Sequence, residues 1–503
     1  MCGIVAIHDH SPGGEADSAL GARMLARLRH RGPDGRGERS VAGTWLGHSR
    51  LSIVDLDTGD QPIGDRAGRR WVVCNGEIYN HQRLRADLDW PFRTRSDSEV
   101  ALAVVSAYGE DGVRLLRGMF AFVTATARGQ VVAARDRIGV KPLYWARIGT
   151  ATVFASELGA FDREHRGLVE EFPPGHAWTP ERGLVRYADD LHEHQPELTT
   201  REQARTAIRE TFVTAVRRRM MSDVPVGVFL SGGLDSSLVA AVMADEAART
   251  GRTVRSFAAG TAGSSDLAAA RTVAEHLGLQ HHERVYTADE VVDALPSVVA
   301  SMESFEPSLV RSAVPNYLLA QMTARHVKVV LTGEGADELY AGYHHLREIG
   351  DPDDLRAELV RSVAGLHNLN LQRCDRVTMA HGVEARVPFL DLDVIATAQR
   401  VPIEWKLPGE LGQEKRILRE AFEGWLPPEV LWRRKEQFGD GSGTAAVMAE
   451  RARELVPDVD WRAVRLAGLP PARSREELGY QRMFAEHLDG VRVDRVLGRF
   501  ATA

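Results

Sequence analysis

The chain has 503 residues, 44% hydrophobic and 26% charged, which is room for two or more domains with separate cores. A formal net charge of −7 argues against a broad nucleic-acid surface, and no stretch is long enough to predict a membrane span. Three scattered cysteines (Cys2, Cys74 and Cys374) form no disulfide framework and match no zinc spacing, so a reducing, cytoplasmic setting is expected.

At the start stands Met1-Cys2-Gly3. Removal of Met1 would leave Cys2 with a thiol and a free α-amine, nucleophile and base on one residue. An apolar helix over Met24–Leu28 leads into the turn-rich His30–Gly35 loop, which holds Arg31. Ser49–Val54 alternates like a strand; its Arg50 is either a surface charge or a bidentate grip on a substrate carboxylate. Val72–Asn80 reads as a strand broken at Asn75-Gly76. That pair makes either a hairpin turn or, through the Asn amide and the glycine N–H, an oxyanion hole. Asp97, just before a helix over Val100–Tyr108, either caps that helix or holds a substrate ammonium. Strands over Met119–Ala127, Val131–Asp136, Pro142–Arg147 and Val153–Ser156, with short turns between, predict antiparallel hairpins and an α+β domain.

Asp189–Thr200 is polar and interrupted by proline, and is read as a linker between a domain at 2–190 and another at 200–503. After it the pattern changes. An amphipathic helix over Arg205–Met220 precedes strand Val226–Leu230 and a helix beginning near Ser237. Strand Val254–Ala259, helix Asp266–Leu277, strand His281–Val285 and helix Asp289–Ala300 follow. Helix Val314–Arg325 and strand Val327–Leu331 close the series. That rhythm predicts a parallel sheet with its ligand at the carboxyl ends of the strands.

At the first of those ends lies Ser231-Gly232-Gly233-Leu234-Asp235-Ser236-Ser237. A tight glycine turn opening a helix offers free N–H groups and a favourable dipole to an anion. No Gly-Lys-Ser/Thr follows, so it is not a Walker loop; it reads as a pyrophosphate-holding turn for ATP cleaved between its α and β phosphates. A second cluster, Thr332-Gly333-Glu334-Gly335-Ala336-Asp337-Glu338, sets three acids beside the expected polyanion. Asp235 and Asp337 are the natural pair for a Mg²⁺ that relieves their repulsion.

Cys2, Arg50, Asn75-Gly76-Glu77 and Asp97 in this order resemble the glutaminase domain of class II glutamine amidotransferases. The synthetase half narrows the resemblance to the glutamine-dependent asparagine synthetases. Gly382-Val383-Glu384-Ala385-Arg386-Val387-Pro388-Phe389-Leu390-Asp391 and Arg433–Gly441 match that family nearly letter for letter. The resemblance implies an N-terminal αββα sandwich of the Ntn type. An α/β parallel-sheet ATP-pyrophosphatase domain with a helical C-terminal part would follow it. It implies Cys2 as nucleophile, Arg50, Glu77 and Asp97 around glutamine, and Asn75 with Gly76 on the oxyanion. ATP would meet Leu230, Ser231, Gly232, Gly233, Asp235, Ser236, Ala259, Thr332, Gly333 and Lys435. Glu334 belongs to the reaction centre. The acceptor pocket would hold Arg311, Asn370 and Arg373.

Two departures from the family fall in that pocket. Ser308-Leu309-Val310-Arg311 stands where Thr-Thr-Ile-Arg is usual, and Asn370 stands where many members have aspartate, a partner for an α-ammonium. The implied reaction joins two sites. Glutamine is hydrolysed at Cys2 through a thioester, and an acceptor carboxylate is adenylated by MgATP. Ammonia, passed through an internal tunnel, then converts the acyl-adenylate to an amide. L-Aspartate is the first acceptor expected; another carboxylate (a specialised metabolite or a peptide C-terminus) is the rival. A β-lactam-forming cyclase or a non-catalytic relic fits less well. Partners are small molecules, with no nucleic acid and no membrane; a homodimer is left open. Ala445–Ala503 resembles the family's less ordered tail and is assigned no chemistry.

Overall fold

The computed structural model describes residues 2–188, 196–408, 412–435, 441–456 and 460–500, with the side chains of 452 and 453 left aside. The expected linker therefore lies partly outside the described residues, as does the 436–440 part of the Arg433–Gly441 motif.

The N-terminal region is two six-stranded antiparallel sheets between helices. One runs Glu170–Glu171, Tyr144–Ile148, Ala151–Ala155, Gly3–Asp9, Thr44–Arg50, Gly35–Val41. The other runs Gly183–Arg186, His176–Thr179, Val131–Arg135, Gly118–Thr126, Arg70–Ile78, Ile63–Gly64. Side-chain alternation builds the layers. Ile4 and Ala6 of strand Gly3–Asp9 meet Val73, Ala121 and Val123 of the other sheet. Val5 and Ile7 turn outward onto Leu20 and Met24 of helix Ser18–Arg27. On the far side Val72, Cys74 and Phe120 pack on Val100, Ala101 and Val104 of helix Glu99–Tyr108. The order is helix, sheet, sheet, helix: the expected αββα sandwich.

The second region centres on a five-stranded parallel sheet in the order Gln280–Tyr286, Arg255–Thr261, Val226–Phe229, Val329–Leu331, Glu384–Arg386. The fifth strand was read in the sequence only as a motif. Helices cover the sheet, and their starts are set by local capping. Thr287 and Glu290 form a reciprocal capping box on Ala288–Met302, and the Thr200 hydroxyl accepts from the Gln203 N–H at the start of Arg201–Arg219. Among the described residues no helix is long and apolar enough to cross a membrane.

Four expectations are corrected. Strand Thr44–Arg50 ends at Arg50, so Ser49–Val54 is not a strand. Strand Arg70–Ile78 runs unbroken through Asn75-Gly76, paired throughout with Gly118–Thr126, so no turn forms there. The helix expected at Val314 starts at Pro307, where proline suits the first turn, and runs past Pro315 to Thr323. The C-terminal tail holds helices Thr444–Leu455 and Arg475–Leu488, as a helical C-terminal part implies, but it takes part in the second site described below, which was not expected.

Candidate functional site

Cys2 stands just ahead of strand Gly3–Asp9, and Asn75 lies on the facing sheet. The Cys2 backbone N–H donates to Asn75 Oδ1 at 3.0 Å. That fixes the amide's orientation and leaves Asn75 Nδ2 buried with no partner, a donor held beside the thiol. Gly76 follows at φ +137°, and a Cβ there would come within 2.0 Å of the Met119 carbonyl oxygen, so only glycine fits this approach of the two strands. The Cys2 thiol reaches the Leu51 carbonyl at 4.0 Å. Burial pushes it up, with Glu384 and Glu77 adding to the effect, so it rests protonated and needs a base to become a nucleophile.

The other expected glutamine ligands are buried as well. Arg50 is buried, donating to Asp60 Oδ1 and to the Asp55 carbonyl, each at 2.6 Å. Asp97 accepts the Ile78 N–H at 2.7 Å, and burial pushes its carboxyl up to about 6. It is not the cap of helix Glu99–Tyr108, which starts without a side-chain cap. Glu77 lies 3.2 Å from Arg386 Nη2 of the fifth parallel strand, tying the N-terminal sheets to the second region. Arg31, fully buried, donates from Nε to the Cys2 carbonyl at 3.0 Å and pairs with Glu157 at 2.6 Å and Asp375 at 2.9 Å. It is a buried strut that holds the Cys2 backbone.

At the carboxyl ends of the parallel strands lies a cavity of about 1010 Å³. Leu230, Ser231, Gly233, Asp235, Ser236, Ala259, Thr332, Gly333, Glu334, Asp337 and Lys435 line it, together with Arg311, Asn370 and Arg373. Of the predicted set for this site only Gly232 does not line the cavity. The Ser231 hydroxyl lies 3.1 Å from that of Ser236 and receives the Gly233 N–H at 3.4 Å, which shapes the turn. Gly333 lets the two phosphate-side loops meet, since a Cβ there would be 2.8 Å from the Asp235 Cβ.

Lys415 was not predicted. Its ammonium bonds Asp235 at 2.7 and 2.5 Å and sits 2.8 Å from Asp337, which also receives Lys435. These two cations hold the Asp337 carboxyl well below the usual range, against its burial. The one local signal was a backbone irregularity, a non-glycine residue at φ +56° before helix Arg416–Ala421, which sequence does not reveal. Arg373 pairs with Glu334, and Arg311 is gripped by Glu476 of the C-terminal helix, at 3.1 and 2.5 Å. The tail therefore contributes a charge partner, contrary to the expectation that it has no chemistry. Asn370 Nδ2 donates to the Tyr343 hydroxyl at 3.1 Å and reaches Glu338 at 3.4 Å.

Sandwich, parallel sheet and two sites together define a glutamine amidotransferase joined to an α/β synthetase. A glutamine amidotransferase domain family matches residues 1–173, and the asparagine synthase family matches 207–350 and 347–492. The chain is 39% identical over 482 residues to asparagine synthetase [glutamine-hydrolyzing] 2 of Oryza sativa subsp. japonica, covering 91% of this chain and 80% of that protein. It is 37% identical over 520 residues to a probable asparagine synthetase [glutamine-hydrolyzing] of Schizosaccharomyces pombe, covering 97% and 93%. Among solved structures, glutamine phosphoribosylpyrophosphate amidotransferase from B. subtilis aligns over 52% of this chain and 66% of that one, at 19% identity and a TM-score of 0.31. The chain belongs to the glutamine-hydrolysing asparagine synthetase family.

Proposed function

We propose that this chain makes L-asparagine from L-aspartate, using glutamine as nitrogen donor and ATP as co-substrate, with release of glutamate, AMP and pyrophosphate. The observation that carries the reading is the pairing of two complete sites in one chain: Cys2 beside the unpartnered Asn75 amide, and a cavity that gathers the Ser-Gly-Gly loop, Glu334 and two lysines.

At the first site the Cys2 thiol attacks the glutamine side-chain carbonyl once its proton passes to the α-amine. Asn75 Nδ2 and the Gly76 N–H receive the oxyanion; ammonia leaves, and water cleaves the thioester. Arg50 and Asp97 orient glutamine through its carboxylate and ammonium. At the second site the aspartate side-chain carboxylate attacks the α-phosphate and pyrophosphate departs toward the Ser231–Ser236 turn. Adenylation supplies the leaving group a carboxylate lacks, and ammonia displaces AMP. Lys435, aimed at the phosphate side, offsets the charge that develops there.

Asp235 and Asp337 fit Mg²⁺: two carboxylates beside a phosphate site are its usual protein ligands, and one ammonium already spans both. When bound, the ion would shield phosphate charge. Dimerisation and a cytoplasmic location belong to the same reading. Incubation with glutamine and MgATP, with and without aspartate, tests it: asparagine and pyrophosphate should form together only with aspartate, and pyrophosphate without asparagine would overturn the acceptor.

A further inference from the structure

Seven carboxylates line the synthetase cavity, and six already have a basic partner. Asp235 and Asp337 have Lys415, Glu334 has Arg373, Glu358 has Arg361, Glu414 has Arg419 and Asp266 has Arg433. Glu338 has no basic partner among the described residues, although it is only 3% exposed. Its Oε1 accepts the Tyr343 hydroxyl at 2.6 Å and lies 3.4 Å from Asn370 Nδ2. A buried, uncompensated carboxylate is costly unless a cation arrives to share the site.

The position of that acid is what makes it informative. Asn370 is the pocket residue whose amide cannot neutralise an ammonium, and its Nδ2 is turned toward Glu338 and Tyr343. Arg373, one helical turn on, is engaged by Glu334. The wall around Asn370 thus carries one carboxyl group with no basic partner among the described residues, supplied from a different element of the chain. An acceptor bearing both a carboxylate and an ammonium would meet the cationic side of the cavity with the first and this wall with the second.

We propose that Glu338, buttressed by Tyr343 and Asn370, binds the α-ammonium of the acceptor amino acid and so selects an amino acid over a plain dicarboxylate. This rests on the reading of aspartate as acceptor and assigns its recognition. Its hydrogen bonds to Tyr343 and Asn370 set Glu338 beside the expected acceptor residues.

The test is steady-state kinetics of the full chain with ammonia as nitrogen source, comparing wild type, Glu338→Gln and Glu338→Asp. Losing a charge-assisted hydrogen bond to the substrate should raise the aspartate KM of Glu338→Gln by about 10- to 100-fold. The MgATP KM and glutamine hydrolysis should stay within about threefold, the latter also showing that the chain is folded. Preference for aspartate over succinate, read as the ratio of pyrophosphate release rates, should fall in Glu338→Gln and persist in Glu338→Asp. Asn370→Asp added to Glu338→Gln should recover part of the aspartate KM. Should Glu338→Gln fail to fold, Asn370→Asp alone decides, by lowering the aspartate KM of the wild type or not. An unchanged aspartate KM, or a rise confined to MgATP, overturns the proposal. A wild type that forms no asparagine from aspartate would overturn the underlying reading instead.

Discussion

Lys415 Nζ lies 2.5 Å from Asp235 Oδ2 and 2.8 Å from Asp337 Oδ1, so one ammonium joins the two phosphate-side loops across the top of the parallel sheet. Removing it leaves Asp235 without a paired cation among the described residues and Asp337 with Lys435 alone, both carboxylates half-buried and close together. Lys415→Met should lower stability by about 3–5 kcal/mol, the usual cost of breaking a buried pair, and greatly depress asparagine synthesis from ammonia. Thermal denaturation and pyrophosphate release read the two effects. Wild-type values in both would show that the contact does not hold the loops.

The two active centres should separate cleanly. Cys2→Ala is expected to abolish glutamine use while synthesis from added ammonia continues. Asn75→Ala should slow glutamine hydrolysis by roughly 10²–10³-fold on the proposal that its unpartnered amide donates to the oxyanion. Glutamate release measures both; an unchanged Asn75→Ala rate would reduce that residue to a structural partner of the Cys2 N–H.

The proposed contact of Asp97 with the glutamine ammonium gives binding a pH dependence. Burial raises its carboxyl to about 6, and only the ionised form attracts an ammonium. Measured by calorimetry in Cys2→Ala, the glutamine Kd should be flat above about pH 6 and rise about tenfold per pH unit below it. Its effect on stability has the opposite sign. The unfolded chain ionises Asp97 near 3.8 and the folded chain only near 6, so stability falls as pH rises through that interval. Asp97→Asn should therefore melt higher than wild type at pH 7 and show no such gain at pH 3.5; a lower melting temperature at both would contradict the burial argument.

Asp375 is the synthetase side's hold on the strut at the Cys2 backbone. It pairs with Arg31 at 2.9 Å and lies 3.5 Å from Lys141 and 3.3 Å from Arg376, all buried. Asp375→Ala removes one partner from this buried cluster, leaving Arg31 to Glu157 and Arg376 to Glu303, and should cost about 3 kcal/mol. It should also impair glutamine hydrolysis, since Arg31 carries the Cys2 carbonyl. Retained glutaminase activity in the destabilised variant would show that the strut serves the fold alone.

Much of this was legible in the chain itself because the signals are local. A glycine turn after an apolar strand, strand–helix alternation and a cysteine at position 2 each depend on neighbours within a few residues. They pointed to two candidate sites and predicted the antiparallel N-terminal and parallel C-terminal sheet regions. Strand limits at Arg50 and the unbroken Asn75-Gly76 stretch were not legible, because partners on other strands override turn propensity. Nor were the charge partners. Lys415 is 180 residues from Asp235, Glu476 is 165 from Arg311 and Glu338 is 32 from Asn370. Which acid faces which cation is decided only when packing brings distant segments together and burial makes every unpaired charge expensive.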